Sequence, residues 1–360
     1  RRRRESRGPL PPAAPAAHAR PMPEIREIAR HAGAPVLEGV LESAAARVAV
    51  LSWGAAVRDW RVALPGGGER PVVLGFPRFA DWPAHSPAFG AIVGRVANRV
   101  AGARFRWAGR EVRLVPNEGP HALHGGAVGA FHARAWEMAA DGPALRLRLA
   151  APHGEGGWPG ALSAEVRIAL DGARLSWEMT VEADRPAPVA LAQHVYWNLD
   201  GAGPPPGPVA DHVLRVGASR ATPPGPDRIP TGEIRDVAGT ALDFRRPRRL
   251  RDARGRPLAL DVNLLLDPGE GPAAEAWSAA GDLRLALETD QPGLQVYDAP
   301  ALDLPVEGFR NRPFAGLCLE AQAIPNALNL PGFEAPFAAP GHPWRQRTSV
   351  EIAPADGPPV

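Results

Sequence analysis

The sequence predicts an all-β protein, a large antiparallel sandwich or barrel. Three observations lead there. Apolar residues alternate with polar ones at period two from about residue 45 onward. The alternating runs are five to eight residues long and end at Gly, Pro or Asp. Stretches with helical spacing are scarce.

In chain order, residues 23–32 (PEIREIARHA) hold apolar side chains at helix-like intervals and predict a short helix or helical turn. Two short alternating runs follow in the segment from Gly90 to Gly126. Arg104-Phe105-Arg106-Trp107 and Glu111-Val112-Arg113-Leu114 flank Ala108-Gly109-Arg110, which is a hairpin signal. Leu145, Leu147 and Leu149 alternate with Arg, and Ala164, Val166, Ile168 and Leu170 form the next run. Leu175, Trp177, Met179 and Val181 make a third, and Leu283, Leu285, Leu287 and Thr289 a fourth. No fixed-period repeat is present, and the Pro/Gly patch Gly201–Pro208 is short enough for a surface loop. Residues 22–360 therefore read as a single domain.

Composition narrows the class. The chain of 360 residues is 45% hydrophobic and 22% charged, as in a globular protein with a sizeable core. The 43 Pro and 39 Gly are spread between apolar runs, as many turns require. All basic side chains are Arg. Six of them fall in the first twenty residues, so the net charge of +2 leaves the rest of the chain slightly acidic. Residues 1–21 read as a disordered Arg/Pro/Ala-rich extension or a start-site artefact, with Met22 the expected start. The internal run Arg245–Arg251 lacks interleaved aromatics, so no nucleic-acid partner is expected. Cys318 is the single cysteine, which excludes an internal disulfide. No apolar run reaches eighteen residues and no secretory signal is evident, so no membrane partner is expected and the expected location is the cytoplasm.

Several side chains are candidates for chemistry. His121 and His124 lie three apart, but no third ligand follows at short range and no metal is expected. His194 follows the apolar run Val189–Ala192, which places it at a strand end or turn, partly buried. There a histidine suits general acid or base work, although a core histidine bonded to backbone fits the same position. Glu320 ends the apolar run Leu317-Cys318-Leu319, where a carboxylate is costly unless paired or functional. A surface glutamate at a strand end is the alternative. Asp261 has similar character, and the two carboxylates also leave a glycosidase open.

These pieces stand in the order found in the aldose 1-epimerases, which the chain resembles from about residue 45 to its end. Leu51–Ala55 and Val73–Phe76 resemble two family strands. Gly94-Arg95, Asn98-Arg99, Asn117 and Leu123–Gly126 resemble the family signature. Gly154–Gly160, His194–Leu199, Asp243–Arg245, Gln291–Tyr297 and Leu319–Asn329 resemble further motifs in register. The resemblance implies a large antiparallel β-sandwich, the supersandwich, and interconversion of the α and β anomers of aldoses such as galactose and glucose. It implies Glu320 as general base at the C1 hydroxyl and His194 as general acid at the ring oxygen. It implies Asn98, Arg99, His124, Tyr196, Asp261 and Gln295 as sugar-binding groups, and no cofactor. The chemistry requires an ionised Glu320 beside a protonated His194. Trp82, Trp197 and Phe314 are candidates for stacking on the sugar. The expected partner is a small-molecule aldose, and the expected assembly a monomer or homodimer.

The chain departs from the family pattern at Val262 (commonly His), Trp197 (commonly Phe) and Asp298 (commonly Thr), which bears on the preferred sugar. A related epimerase acting on a sugar phosphate or on another carbohydrate, and a non-catalytic sugar-binding module on the same fold, are the alternatives.

Overall fold

The computed structural model describes residues 21–86, 88–225, 227–309 and 312–358. The expected extension at residues 1–21 lies outside them, apart from Pro21. Strands dominate. The longest α-helix among the described residues is one turn, Asp81–His85. No helix of the described residues is long and apolar enough to cross a membrane.

Three antiparallel sheets carry the fold. The first joins Glu24–His31, Ala34–Glu42, Ala46–Leu51, Ala56–Ala63 and Glu69–Pro71 in chain order. A nine-stranded sheet begins with Glu137–Asp141, Ala144–Ala151, Leu162–Asp171 and Arg174–Ala183. It then takes in the C-terminal strand Trp344–Pro354 and continues through Leu283–Thr289, Ala274–Trp277, Val213–Val216 and Arg248–Arg249. The third sheet runs Tyr196–Trp197, Leu317–Gln322, Gly293–Tyr297, Asp261–Leu265, Arg220–Thr222 and Arg235–Asp236.

The period-two runs explain the packing. Leu162–Asp171 buries every second side chain, and its partner Arg174–Ala183 does the same. The turn between them uses Gly172 at φ 58°, a conformation that favours glycine. Val48 and Trp60 of the first sheet, Val166 and Trp177 of the second, and Val296 and Leu319 of the third share one buried cluster. Inner faces therefore pack against each other; the outer face of Leu162–Asp171 and Arg174–Ala183 is the more exposed one, whereas Leu317–Gln322 is buried on both faces.

The predicted helix at residues 23–32 is a strand instead, Glu24–His31, paired with Ala34–Glu42. A bulge between Glu27 and Ala29 adds one residue, which breaks strict alternation and mimics helical spacing. Cross-strand pairing decides the outcome: Arg26 sits opposite Glu38 and donates to its carboxylate at 2.7 Å. The predicted hairpin forms, as Arg104–Trp107 against Arg110–Arg113. Arg245, Arg249 and Arg251 are tied to Asp243 or Asp211, so much of the basic run is paired within its own fold.

Candidate active site

The third sheet sorts its residues by face. Strand residues two apart share a face, as do residues directly opposite in register. Glu320 is opposite Gln295, Cys318 is opposite both Tyr196 and Tyr297, and Asp261 is opposite Tyr297. All six side chains therefore lie on one face. The other face carries Leu317, Leu319, Val262, Leu264 and Val296, which belong to the main core cluster. One register step separates the chemical groups from the core.

The segment Gly90–Gly126 builds the facing wall. Asn98 and His124 both adopt positive φ, 62° and 50°, and lock together. His124 donates its backbone N–H to Asn98 O at 3.0 Å, and the Asn98 N–H donates to His124 Nδ1 at 3.1 Å. Asn117 clasps the same loop through Leu123, accepting from its N–H at 2.7 Å and donating to its carbonyl at 3.0 Å. Gly125 is obligatory there, because a Cβ would stand 2.2 Å from Gly94 O. Trp158, from the loop after Gly154, donates to Gly125 O at 2.8 Å.

His194 reaches the cavity from the short strand Ala192–His194, paired with Ala91–Val93. Its Nε2 lies 3.6 Å from Glu320 Oε2, and both side chains are buried. Tyr196 stacks on the His194 ring at 5.1 Å and 15°, while the His124 ring meets it edge-on at 5.1 Å. Arg99 makes a bidentate pair with Glu118 at 2.5 and 2.8 Å and stands 3.7 Å from Asp261. Together these groups line a cavity of about 300 Å³, at the small end of ligand pockets.

Burial governs the charges. It pushes the Glu320 carboxyl well above its ordinary value, with Asp261 adding to the rise and Arg99 opposing it. It lowers His194 to about 3 and His132 to about 4, and lowers His124 well below its usual value. Burial thus favours a protonated Glu320 and a neutral His194, the reverse of the ionised pair that the chemistry requires. Either arrangement places one proton on the pair.

His124, His194 and Glu320 offer ligand atoms within 4.8 Å of one another, a spacing that invites a metal. The hydrogen bond from Asn98 opposes it. With Nδ1 accepting, the proton of neutral His124 sits on Nε2, which makes that atom a donor and not a ligand.

The sequence profile described as Aldose 1-epimerase matches residues 40–351. The chain belongs to the aldose 1-epimerase family. Galactose mutarotase of Sus scrofa is 35% identical over 319 residues, spanning 86% of this chain and 91% of the relative. Aldose 1-epimerase of Escherichia coli (strain K12) is 32% identical over 322 residues, spanning 85% and 91%. A solved aldose epimerase homologue from C. elegans superposes with a TM-score of 0.82 at 27% identity, over 89% of this chain and all of that one. Galactose 1-epimerase from Lactobacillus acidophilus NCFM shares the fold, with a TM-score of 0.78 at 24% identity, over 92% and 99%. The family is one of isomerases.

Within this aldose 1-epimerase fold, Asn98, Arg99, His124, His194, Tyr196, Asp261 and Glu320 all line the cavity. Gln295 does not. It donates to Asp261 Oδ1 at 2.6 Å and so orients a lining residue. The candidate stacking aromatics also lie elsewhere. Trp197 faces the core, edge-on to Trp60 at 5.5 Å, and Trp82 packs on Phe76. Phe314 is half-buried outside the lining. Val262 is a core residue, so that departure from the family pattern points away from the facing groups. Glu320 is 2% exposed, which removes the surface-glutamate alternative, and His121 ties its loop to the turn Ala101–Ala103 by accepting from Gly102 N–H at 3.0 Å.

Sequence reading assigned no role to His132, Glu118, Tyr297 or Arg228, which also line the cavity. Tyr297 carried a signal, standing two residues after Gln295 on the same face. His132, on the short turn Phe131–Ala133, carried none.

Proposed function

We propose that the cavity performs mutarotation of aldohexoses such as galactose and glucose, with His194 and Glu320 as the proton-transferring pair. The observation that carries the reading is their 3.6 Å approach on the floor of a cavity walled by hydrogen-bonding groups. Opening a cyclic hemiacetal removes a proton from O1 and delivers one to the ring oxygen. A pair holding one proton suits that exchange.

A sugar entering the cavity brings its hydroxyl groups against the pair. Its polar edge favours the ionic arrangement, so the proton moves from Glu320 to His194. Glu320 then takes the O1 proton while His194 protonates the ring oxygen. Rotation about C1–C2 presents the other carbonyl face, and the reverse transfers close the ring. His124, fixed as an Nε2–H donor, supports the ring oxygen. Asn98, Arg99, Tyr196 and Asp261 hold the hydroxyls, and Gln295 acts through Asp261. Each proton transfer contributes about 10²–10⁴-fold.

We further infer that residues 22–360 act as one domain, in the cytoplasm, as a monomer or homodimer. Polarimetry on freshly dissolved α-D-galactose and α-D-glucose tests the activity. Acceleration over buffer for either sugar is expected, and no acceleration for both overturns the reading.

A further inference from the structure

Arg228 stands apart from the other charges of the cavity. Arg99 is within 4 Å of both Glu118 and Asp261, and Asp261 also accepts from Gln295. Glu320 faces His194. Arg228 lines the same cavity, is exposed, and has no carboxylate within ion-pair distance among the described residues. Its charge is nonetheless felt at the site, since it opposes the rise of the Asp261 carboxyl.

The position is built. The Gly225 N–H donates to Ile229 O at 2.8 Å and the Arg228 N–H donates to Gly225 O at 3.0 Å, closing a tight loop. Pro224 bridges Pro230 across its base. Arg228 is held at φ 59°, a conformation that costs a non-glycine residue about 1 kcal/mol or more and persists only when its surroundings impose it. The loop brings Arg228 to the lining of both the cavity and an adjoining groove. The groove, of about 480 Å³, continues the cleft, sharing Arg228, Asp261 and Tyr297 with the cavity. Leu242, Leu258 and Pro300 give that groove an apolar floor suited to the carbon face of a second sugar.

We propose that Arg228 makes the far wall of the cleft a recognition site for an aldose carrying a carboxylate away from its reacting carbon, on the same ring or on a second ring lying in the groove. The inference rests on the mutarotase reading. A free guanidinium presents a rigid fork of donors that matches a carboxylate with two parallel hydrogen bonds. Among the lining carboxylates Glu320 faces His194, which leaves Glu118 and Asp261, and the adjacent Asp227 lies 3.8 Å from His121. Glu118 and Asp261 are held by Arg99, and none of these carboxylates pairs with Arg228 among the described residues, which leaves its fork unspent.

The test compares D-galactose, lactose, D-galacturonate and digalacturonate as probes, by polarimetry with the intact protein and with Arg228→Gln and Arg228→Lys. The wild type should accelerate one or both acidic sugars. Arg228→Gln should lower the acidic-to-neutral ratio of kcat/KM at least tenfold, chiefly through KM, and Arg228→Lys should restore part of it. Raising the salt concentration should lower the same ratio in the wild type. Two results overturn the proposal while leaving mutarotation intact. One is acceleration of galactose or lactose with neither acidic sugar accepted. The other is an equal loss on all sugars in Arg228→Gln, which would mean that Arg228 serves Asp261. Failure with galactose and glucose overturns the aldohexose reading, and failure with every sugar overturns mutarotation and this proposal together.

Discussion

Asp298 is 1% exposed, accepts from the Leu260 N–H through Oδ1 at 2.7 Å, and buries Oδ2 without a partner. Burial pushes its carboxyl up to about 6 from 3.8. The folded state thus holds this proton more tightly than the unfolded chain does. Its contribution favours folding at low pH, declines as pH rises through about 4 to 6, and is fully unfavourable above that. Asp298→Asn keeps the acceptor and removes the charge. It should gain up to roughly 3 kcal/mol at pH 8 and little at pH 4, read as a Tm difference that grows with pH. A lower Tm at both pH values would contradict this account.

The His194–Glu320 pair makes a second prediction at the same scale. Unfolded, the two groups titrate near 6.5 and 4.5. Folded, His194 drops to about 3 and Glu320 rises, so the pair keeps one proton across a wider range. Below 4.5 the unfolded chain binds more protons, and stability falls with acid. Above 6.5 it binds fewer, and stability falls with base. The pair therefore contributes a stability maximum between those values. The same reasoning predicts a mutarotation rate at pH 5 within threefold of that at pH 7. A steep loss through pH 6.5 would indicate a solvated His194. An acidic or imidazole group ending an apolar run marked both residues as candidates, and the family resemblance implied their roles. The depth of their burial was not legible, since it depends on what the opposite wall supplies.

At the level of elements, the Leu123–Gly126 loop and the strand Leu317–Gln322 set the geometry. Gly125→Ala would bring a Cβ to 2.2 Å from Gly94 O at a φ of 102°. It should destabilise by at least about 2 kcal/mol in urea unfolding and loosen His124, lowering activity in the fraction that stays folded. Unchanged stability would mean that the loop is not pinned to Gly94. Most strands were legible because alternation over five or more residues survives packing, as in Leu162–Asp171. The Glu24–His31 strand was not, because a bulge disturbs its alternation and its partner strand, not local spacing, decides its state. The stacking role considered for Trp197 failed on parity: it pairs with Leu317, on the core face.

Across the whole molecule, the site draws on residues from Ser86 to Glu320, brought together where a short loop segment meets one face of a sheet. Motif order in the sequence revealed that assembly because the fold keeps those motifs in register. Residues outside the motifs, such as His132 and Arg228, reach the cavity only through chain geometry, which spacing along the sequence does not encode. The central claim is that two buried groups far apart in the chain share one proton and pass it across a sugar. The most direct test is the polarimetric rate on α-D-galactose for Glu320→Gln and His194→Gln, each confirmed to be folded. Each should lose at least about 100-fold in kcat, the lower end of a positioned proton transfer. Retention of the wild-type rate within twofold by either variant would contradict the account.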